Sequence, residues 1–304
     1  MRTPAVPARY LAILGAVALS AIAPALWAWG QDGHFLVARL AVAALPPDMP
    51  KFFTGAAETL VLLNPEPDTW RDSAEGKLSP ALRLGHDPDH FFKFELYSPA
   101  ALPPDRYSFL EDLRQQGKLA RQVGMLPYRA MELFQRVRSG FRRWRAATDP
   151  GTSDPKMARF IEARIIEDAG LLGHYIADAA MPLHMSVNPN GWTLEENPRG
   201  YTRDNTLHRR FETDFVRARI HDGDVKPLLR ETTVASDPFA SIYSHMRRSH
   251  DQMIPLYGME KLKPFGADNT DPRAVQFVAP RLADAVSTLR DLWYTAWRTS
   301  AGIL

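Results

Sequence analysis

The sequence predicts an all-α chain, a single mainly helical domain with long loops. Three observations predict it. Long stretches carry apolar residues three and four apart. Asp-Pro pairs head two of them, where aspartate caps a helix and proline suits its first position. Alternating apolar and polar runs are scarce, residues 91–96 being the best short strand candidate. At 304 residues, with 45% apolar and 24% charged, the chain is neither disordered nor collagen-like.

The chain opens on a targeting segment. Arg2 and Arg9 flank a basic start, and residues 10–23 are apolar apart from Gly15 and Ser20. That run has the length of a signal-peptide core, short of the ~20 residues that span a bilayer. Ala23-Pro24-Ala25 fits the small-x-small cleavage rule and would leave Leu26 first; Leu26-Trp27-Ala28 fits it less well and would leave Trp29 first. Residues 1–28 are read as a cleaved signal peptide and 29–304 as the working domain, secreted or periplasmic. An uncleaved anchor is the competing reading, and no other segment reads as a membrane span.

Residues 37–45 read as a helix stopped by Pro46-Pro47. Residues 126–144 have helical periodicity and many outward arginines. Asp154-Pro155 opens a helix running to about Ala180, before Met181-Pro182, with Ile161, Ile165, Leu172 and Ile176 as its apolar stripe. Residues 185–204, rich in Pro, Gly and Asn, read as a loop. Leu207, Phe211, Phe215 and Ala218 mark the next long helix. Asp271-Pro272 opens the last one, with Leu282, Val286, Leu289, Trp293 and Trp297 on one face.

Charge and cysteine content narrow the chemistry. Basic residues number 37 and acidic residues 35, and two of the basic ones lie in the leader. The balance gives no bulk attraction to nucleic acid or anionic membrane. With no cysteine there is no disulfide scaffold, thiol nucleophile or cysteine-type zinc site. The nine histidines are more informative. His174 and Asp178 stand four apart on one predicted helix face; His208 and Glu212 repeat the spacing, and His184 follows the first helix. One such pair suits a surface ion pair equally well. Two pairs plus His184 point to a metal site, and so many imidazoles suit zinc better than calcium or magnesium. The interval also differs from the Glu-x-x-His of ferritin-like di-iron sites.

Three further candidates lie upstream: Trp29 and His34 in Trp-Gly-Gln-Asp-Gly-His, Asp68 in Pro-Asp-Thr-Trp-Arg, and His90 in Pro-Asp-His-Phe. Taken singly, each suits a structural role: core tryptophan, cap or loop histidine. Taken in order, Trp-Gly-x-x-Gly-His, Asp-x-x-Arg, His-Phe, His-x-x-x-Asp-x-x-x-x-x-His and His-x-x-x-Glu resemble the trinuclear zinc superfamily. That superfamily holds the bacterial zinc phospholipases C and the single-strand-specific nucleases of the nuclease P-one type. The N-terminal Trp-to-His interval is similar to the nuclease branch. The terminal Glu212 is similar to the phospholipase branch, and Lys93 stands where nucleases often carry an acid. After Glu212 the resemblance supplies no motif.

The resemblance implies three zinc ions per chain. Asp68, His90, His174 and Asp178 would hold one. The amine and carbonyl of Trp29, with His34 and Asp178, would hold a second, Asp178 bridging the pair. His184, His208 and Glu212 would hold the third. It implies hydrolysis of phosphodiester bonds by water that zinc acidifies from 15.7 toward ~7, with Asp68 and Asp178 as catalytic residues and Arg71 orienting Asp68 or touching phosphate. The expected substrate is single-stranded nucleic acid or, alternatively, phospholipid; no protein partner is implied. A non-catalytic secreted helical binding protein is a third reading, against which the complete ligand set stands. His86 is a rival ligand four residues before His90, His221 has no matched role, and His245 and His250 are expected on exposed helix faces. Arg142, Arg143 and Arg145 are expected on a solvated face, and Phe91, Phe92, Tyr97 and Tyr107 mostly in the core.

Overall fold

The computed structural model describes residues 29–303 apart from residue 152. The leader, both cleavage points and the anchor alternative lie outside the described residues. Six helices carry the architecture: α1 (Gly30–Ala43), α2 (Ala57–Leu63), α3 (Leu126–Thr148), α4 (Pro155–Ala179), α5 (Pro238–His250) and α6 (Pro272–Thr299). No strand occurs among the described residues, so the chain is all-α, with long irregular connections. No helix among them is long and apolar enough to cross a membrane.

The long helices begin where local chemistry dictates. Asp154 accepts from the Lys156 and Met157 amides ahead of Pro155. Asp271 accepts from Arg273 ahead of Pro272, and Asp237 from Ala240 ahead of Pro238. α3 and α4 are joined by a short link and pack along their length; α6 lies across both, and α1 packs against α2 and α6. Phe53, Phe141, Trp293 and Tyr175 fill the space between them and are fully buried. Trp297 is only half-buried and lies beneath Arg145, whose guanidinium carbon is 3.4 Å from its ring centre. Arg145 also donates to the Trp297 carbonyl and to Ser300, so it is held rather than freely solvated.

Close approach of α2 to α4 positions the site. A Cβ at Gly170 would lie 2.5 Å from Leu63 Cβ, and one at Gly173 would lie 2.3 Å from Asn64 Nδ2. Both glycines therefore permit the contact by having no side chain. Gly173→Ala is expected to displace Asn64 and to destabilise the fold by about 1–3 kcal/mol, the usual cost of overpacking. Chemical denaturation checks this; an unchanged midpoint would mean Asn64 relocates freely.

Four sequence expectations need correction. Residues 91–96 are irregular rather than a strand: Phe92 and Phe94 donate to the His184 and Met185 carbonyls, and Lys93 donates to Val123, so no ladder partner is continuous. The first helix starts at Gly30 rather than at 37, its polar and glycine-rich first turn being hidden from periodicity. The 207–219 segment is three short pieces, with a π-helical turn over Arg210–Phe215. That turn adds a residue to the period, so Val216 is buried where the stripe anticipated Ala218. His245 is fully buried, not exposed: Nδ1 lies 2.9 Å from Asp284 Oδ2, and Nε2 faces the Ile176 carbonyl at 3.1 Å.

Candidate metal centre

Eight polar side chains from six parts of the chain converge at the C-terminal end of α4. His34 comes from α1, and Asp68 from the turn Glu66–Thr69. His90 closes the 3-10 turn Asp87–His90, and His174 and Asp178 lie one turn apart on α4. His184 sits in the 3-10 turn Pro182–Met185, which forms because Pro182 ends the helix; His208 and Glu212 straddle the start of the π turn. None is more than 6% exposed. Three groups capable of holding a metal ion result: His34 with His174 and Asp178; Asp68 with His90 and His174; and His184 with His208 and Glu212.

The geometry of the central group is informative. His90 Nδ1 lies 2.9 Å from Asp178 Oδ2 and 3.7 Å from Asp68 Oδ1. His174 Nε2 lies 2.9 Å from His90 Nδ1, 3.2 Å from Asp178 Oδ2 and 3.9 Å from Asp68 Oδ1. A tetrahedral shell with bonds of ~2.0–2.1 Å has ligand-to-ligand edges of roughly 3.3 Å, and these spacings bracket that value. Asp178 also faces outward from this group: its Oδ1 is 3.6 Å from His34 Nε2 and 3.9 Å from His184 Nδ1. It is thus the carboxylate shared between neighbours. In the third group His208 Nε2 lies 3.0 Å from Glu212 Oε2.

Outer contacts set the imidazole tautomers. Asn64 Oδ1 lies 2.7 Å from His34 Nδ1, so Nδ1 donates and the lone pair of Nε2 lies on the side of Asp178. His184 Nδ1 donates to the His90 carbonyl at 2.8 Å, leaving Nε2 as the ring's acceptor. The Asn64 backbone also faces His174. Asn64 was not singled out from the sequence; the clue is its place at the end of α2, four residues before Asp68. Arg71 grips Asp68 Oδ1 through Nε at 3.1 Å and Nη2 at 2.8 Å, and reaches Asp87 Oδ1 at 3.4 Å. Asp87 is a second residue that sequence reasoning missed.

Electrostatics show what the group needs. Burial pushes Asp178 up to about 7 and Asp68 to about 6, against the relief given by nearby histidines and Arg71. Glu212 is raised for the same reason. Burial holds His174 down to about 4, Asp68 acting in the opposite direction, and puts His90 and His184 well below their ordinary value. His90, His174 and His184 are therefore neutral and competent as ligands. Arg71 is the fixed cation that relieves the carboxylates, and burial still raises all three. Asp68 Oδ2, Asp178 Oδ1, His90 Nε2 and His208 Nδ1 have no hydrogen-bond partner among the described residues. Buried polar atoms are rarely left this way, so the set fits a site completed by divalent cations.

The sign of the pH dependence follows. Protons on Asp178 and Asp68 compete with metal, whereas the depressed histidines do not compete in the same window. Metal affinity is expected to weaken as pH falls through about 7 and again through about 6. Metal titrations in buffers of different ionisation heat should also show proton release near pH 6. Uptake independent of pH between about 5 and 8 would contradict these assignments.

The remaining candidates fall in different places. Trp29 is fully buried; its backbone nitrogen lies 3.0 Å from Glu212 Oε2, and its indole donates to the Ala177 carbonyl at 2.8 Å. Its carbonyl accepts from Gly33 at 3.0 Å. The nitrogen therefore meets Glu212 of the third group rather than His34 or Asp178. Trp29 is also the one non-glycine with positive φ, 51°, among the described residues. His86 stands outside the groups, its ring 5.8 Å from Trp70. His221 donates its amide to Asp224, and His250 lies 3.4 Å from Glu95. Phe92 and Tyr97 are core residues, Phe91 is half-buried beneath Lys93, and Tyr107 is exposed. Comparison with family models finds no match, and comparison with curated proteins finds none either.

Proposed function

We propose that this chain is a zinc-dependent hydrolase of phosphodiester bonds that works outside the cytoplasm, nuclease-like in its N-terminal motif. The observation that carries the reading is the convergence of five imidazoles and three carboxylates into three buried groups, two of which share His174, with Asp178 facing every imidazole but that of His208. An imidazole-rich, thiol-free donor set suits zinc. Asp68, His90, His174 and Asp178 would hold one ion. His34 and Asp178 would hold a second, and His184, His208 and Glu212, which the Trp29 nitrogen meets, a third. Zinc held there supplies Lewis acidity, making water a nucleophile at neutral pH and offsetting charge that grows on phosphate oxygens.

The chain's own residues do the rest. Arg71 occupies Asp68 Oδ1, which fixes the carboxylate plane and leaves Oδ2 without a hydrogen-bond partner among the described residues. Oδ2 is then placed to accept the proton of an attacking water. The guanidinium adds fixed positive charge beside the site, useful to a phosphate ester.

One feature favours the phospholipase C alternative. Between Arg71 and Asp87 the chain forms two short helices, Ser73–Leu78 and Pro80–His86, bearing Leu78, Leu82 and Leu84 at 79%, 57% and 68% exposure. Exposed apolar side chains on the segment that joins Arg71 to Asp87 suit a lipid surface. A metal-loaded preparation assayed in parallel on single-stranded DNA, RNA and phosphatidylcholine tests both readings. Cleavage of nucleic acid supports the first and release of diacylglycerol the second. No turnover of any phosphodiester would refute the proposal.

A further inference from the structure

A cavity of about 400 Å³ lies between α5 and α6, and none of the eight converging side chains lines it. Arg230, Arg248 and Arg281 converge there with Ser249, Asp251, Gln252 and Asp284. Asp284 is already engaged: Arg230 contacts it at 2.7 Å, Arg248 at 3.1 Å and His245 Nδ1 at 2.9 Å. Arg281 is different. It is half-buried, burial lowers its pKa, and it has no hydrogen bond or ion pair among the described residues. Ser249 is only 3% exposed, and its hydroxyl finds no hydrogen-bond partner among the described residues either.

A half-buried guanidinium that feels Asp284 but makes no direct ion pair with it, and a buried hydroxyl without a hydrogen-bond partner among the described residues, leave donors available on one wall. Opposing an anion are the exposed Asp251, the carboxylate of Asp284 and the carbonyl end of α5; favouring it are three guanidinium groups, two of which also hold Asp284. No aromatic side chain lines the cavity, so a base or an apolar tail has nothing to stack on. We propose that this cavity binds an oxyanion, a phosphate group either free or carried on a phosphodiester strand, with Arg281 and Ser249 as its dedicated donors and Arg248 completing the shell. Guanidinium suits this ligand because its planar fork matches phosphate oxygens.

Calorimetric titration of the full chain with inorganic phosphate tests the site without reference to turnover. Phosphate can also reach the metal centre, so the informative quantity is the difference between variants that leave that centre intact. Arg281→Gln is expected to weaken one phosphate-binding event by roughly tenfold or more, and Ser249→Ala by several-fold. Arg281→Lys should retain part of the binding. Melting temperature in the absence of phosphate should change little in Arg281→Gln, because that side chain makes no direct ion pair and its attraction to Asp284 is opposed by Arg248. A short oligonucleotide with phosphorothioate linkages and no terminal phosphate separates the sources: competition with phosphate identifies a strand as the ligand, and its failure identifies free phosphate. Superimposable phosphate isotherms for folded wild type and Arg281→Gln would overturn the proposal, whatever the enzyme assays show.

Discussion

Asp178→Asn is expected to abolish turnover and empty the central pair of metal sites while the fold survives. Asparagine keeps the volume of the side chain and loses its charge. That charge faces four imidazoles: Oδ2 meets His90 and His174 at 2.9 and 3.2 Å, and Oδ1 faces His34 and His184 at 3.6 and 3.9 Å. Loss of an outer partner of a metal ligand typically costs ~10–100-fold. Loss of a carboxylate shared between two groups should cost well beyond that. The group formed by His184, His208 and Glu212 does not contain Asp178 and should keep its metal. Elemental analysis beside a kinetic assay reads both effects. Wild-type turnover in a metal-loaded Asp178→Asn protein would remove Asp178 from the centre.

The second large effect concerns Trp29, which cleavage after Ala28 would make the N-terminus. Trp29 is buried in a left-handed conformation, with its nitrogen 3.0 Å from a carboxylate oxygen of Glu212. As a chain terminus that nitrogen is an amine with a pKa of ~7.7–8.0, which a nearby cation readily deprotonates. As a peptide nitrogen it has no available lone pair. Protein beginning at Trp29 is therefore expected to bind its full metal complement. Protein beginning at Leu26, or carrying one alanine before Trp29, should bind metal roughly 10–100-fold more weakly at one site, as for other lost coordination partners. Thermal melts in chelator separate this effect from misfolding. Equal metal content and turnover for the two forms would refute the amine's role.

Much of the centre was legible because its ligands sit at intervals that secondary structure converts directly into proximity. His174 and Asp178 share a face on any helix, and Asp154-Pro155 marks where that helix begins. His184 could be placed because proline must end the helix two residues before it. What remained hidden depends on approach between distant segments. Nothing local tells that Asn64 reaches His34, or that Gly173 is glycine because Asn64 packs on it. His245 has the spacing of a surface residue and was read as exposed. Its burial follows from Asp284 and the Ile176 carbonyl, which satisfy both ring nitrogens from other helices. The π turn over Arg210–Phe215 defeats a 3.6-residue stripe for a similar reason: it is a one-residue shift with no composition signature.

The central claim is that three metal-holding groups act together in one buried centre. Elemental analysis of the mature, active protein, loaded with metal and freed of loosely bound ions, addresses it most directly. The account predicts about three zinc ions per chain, one for each group of side chains. A fully active protein that holds a single tightly bound metal ion would contradict it.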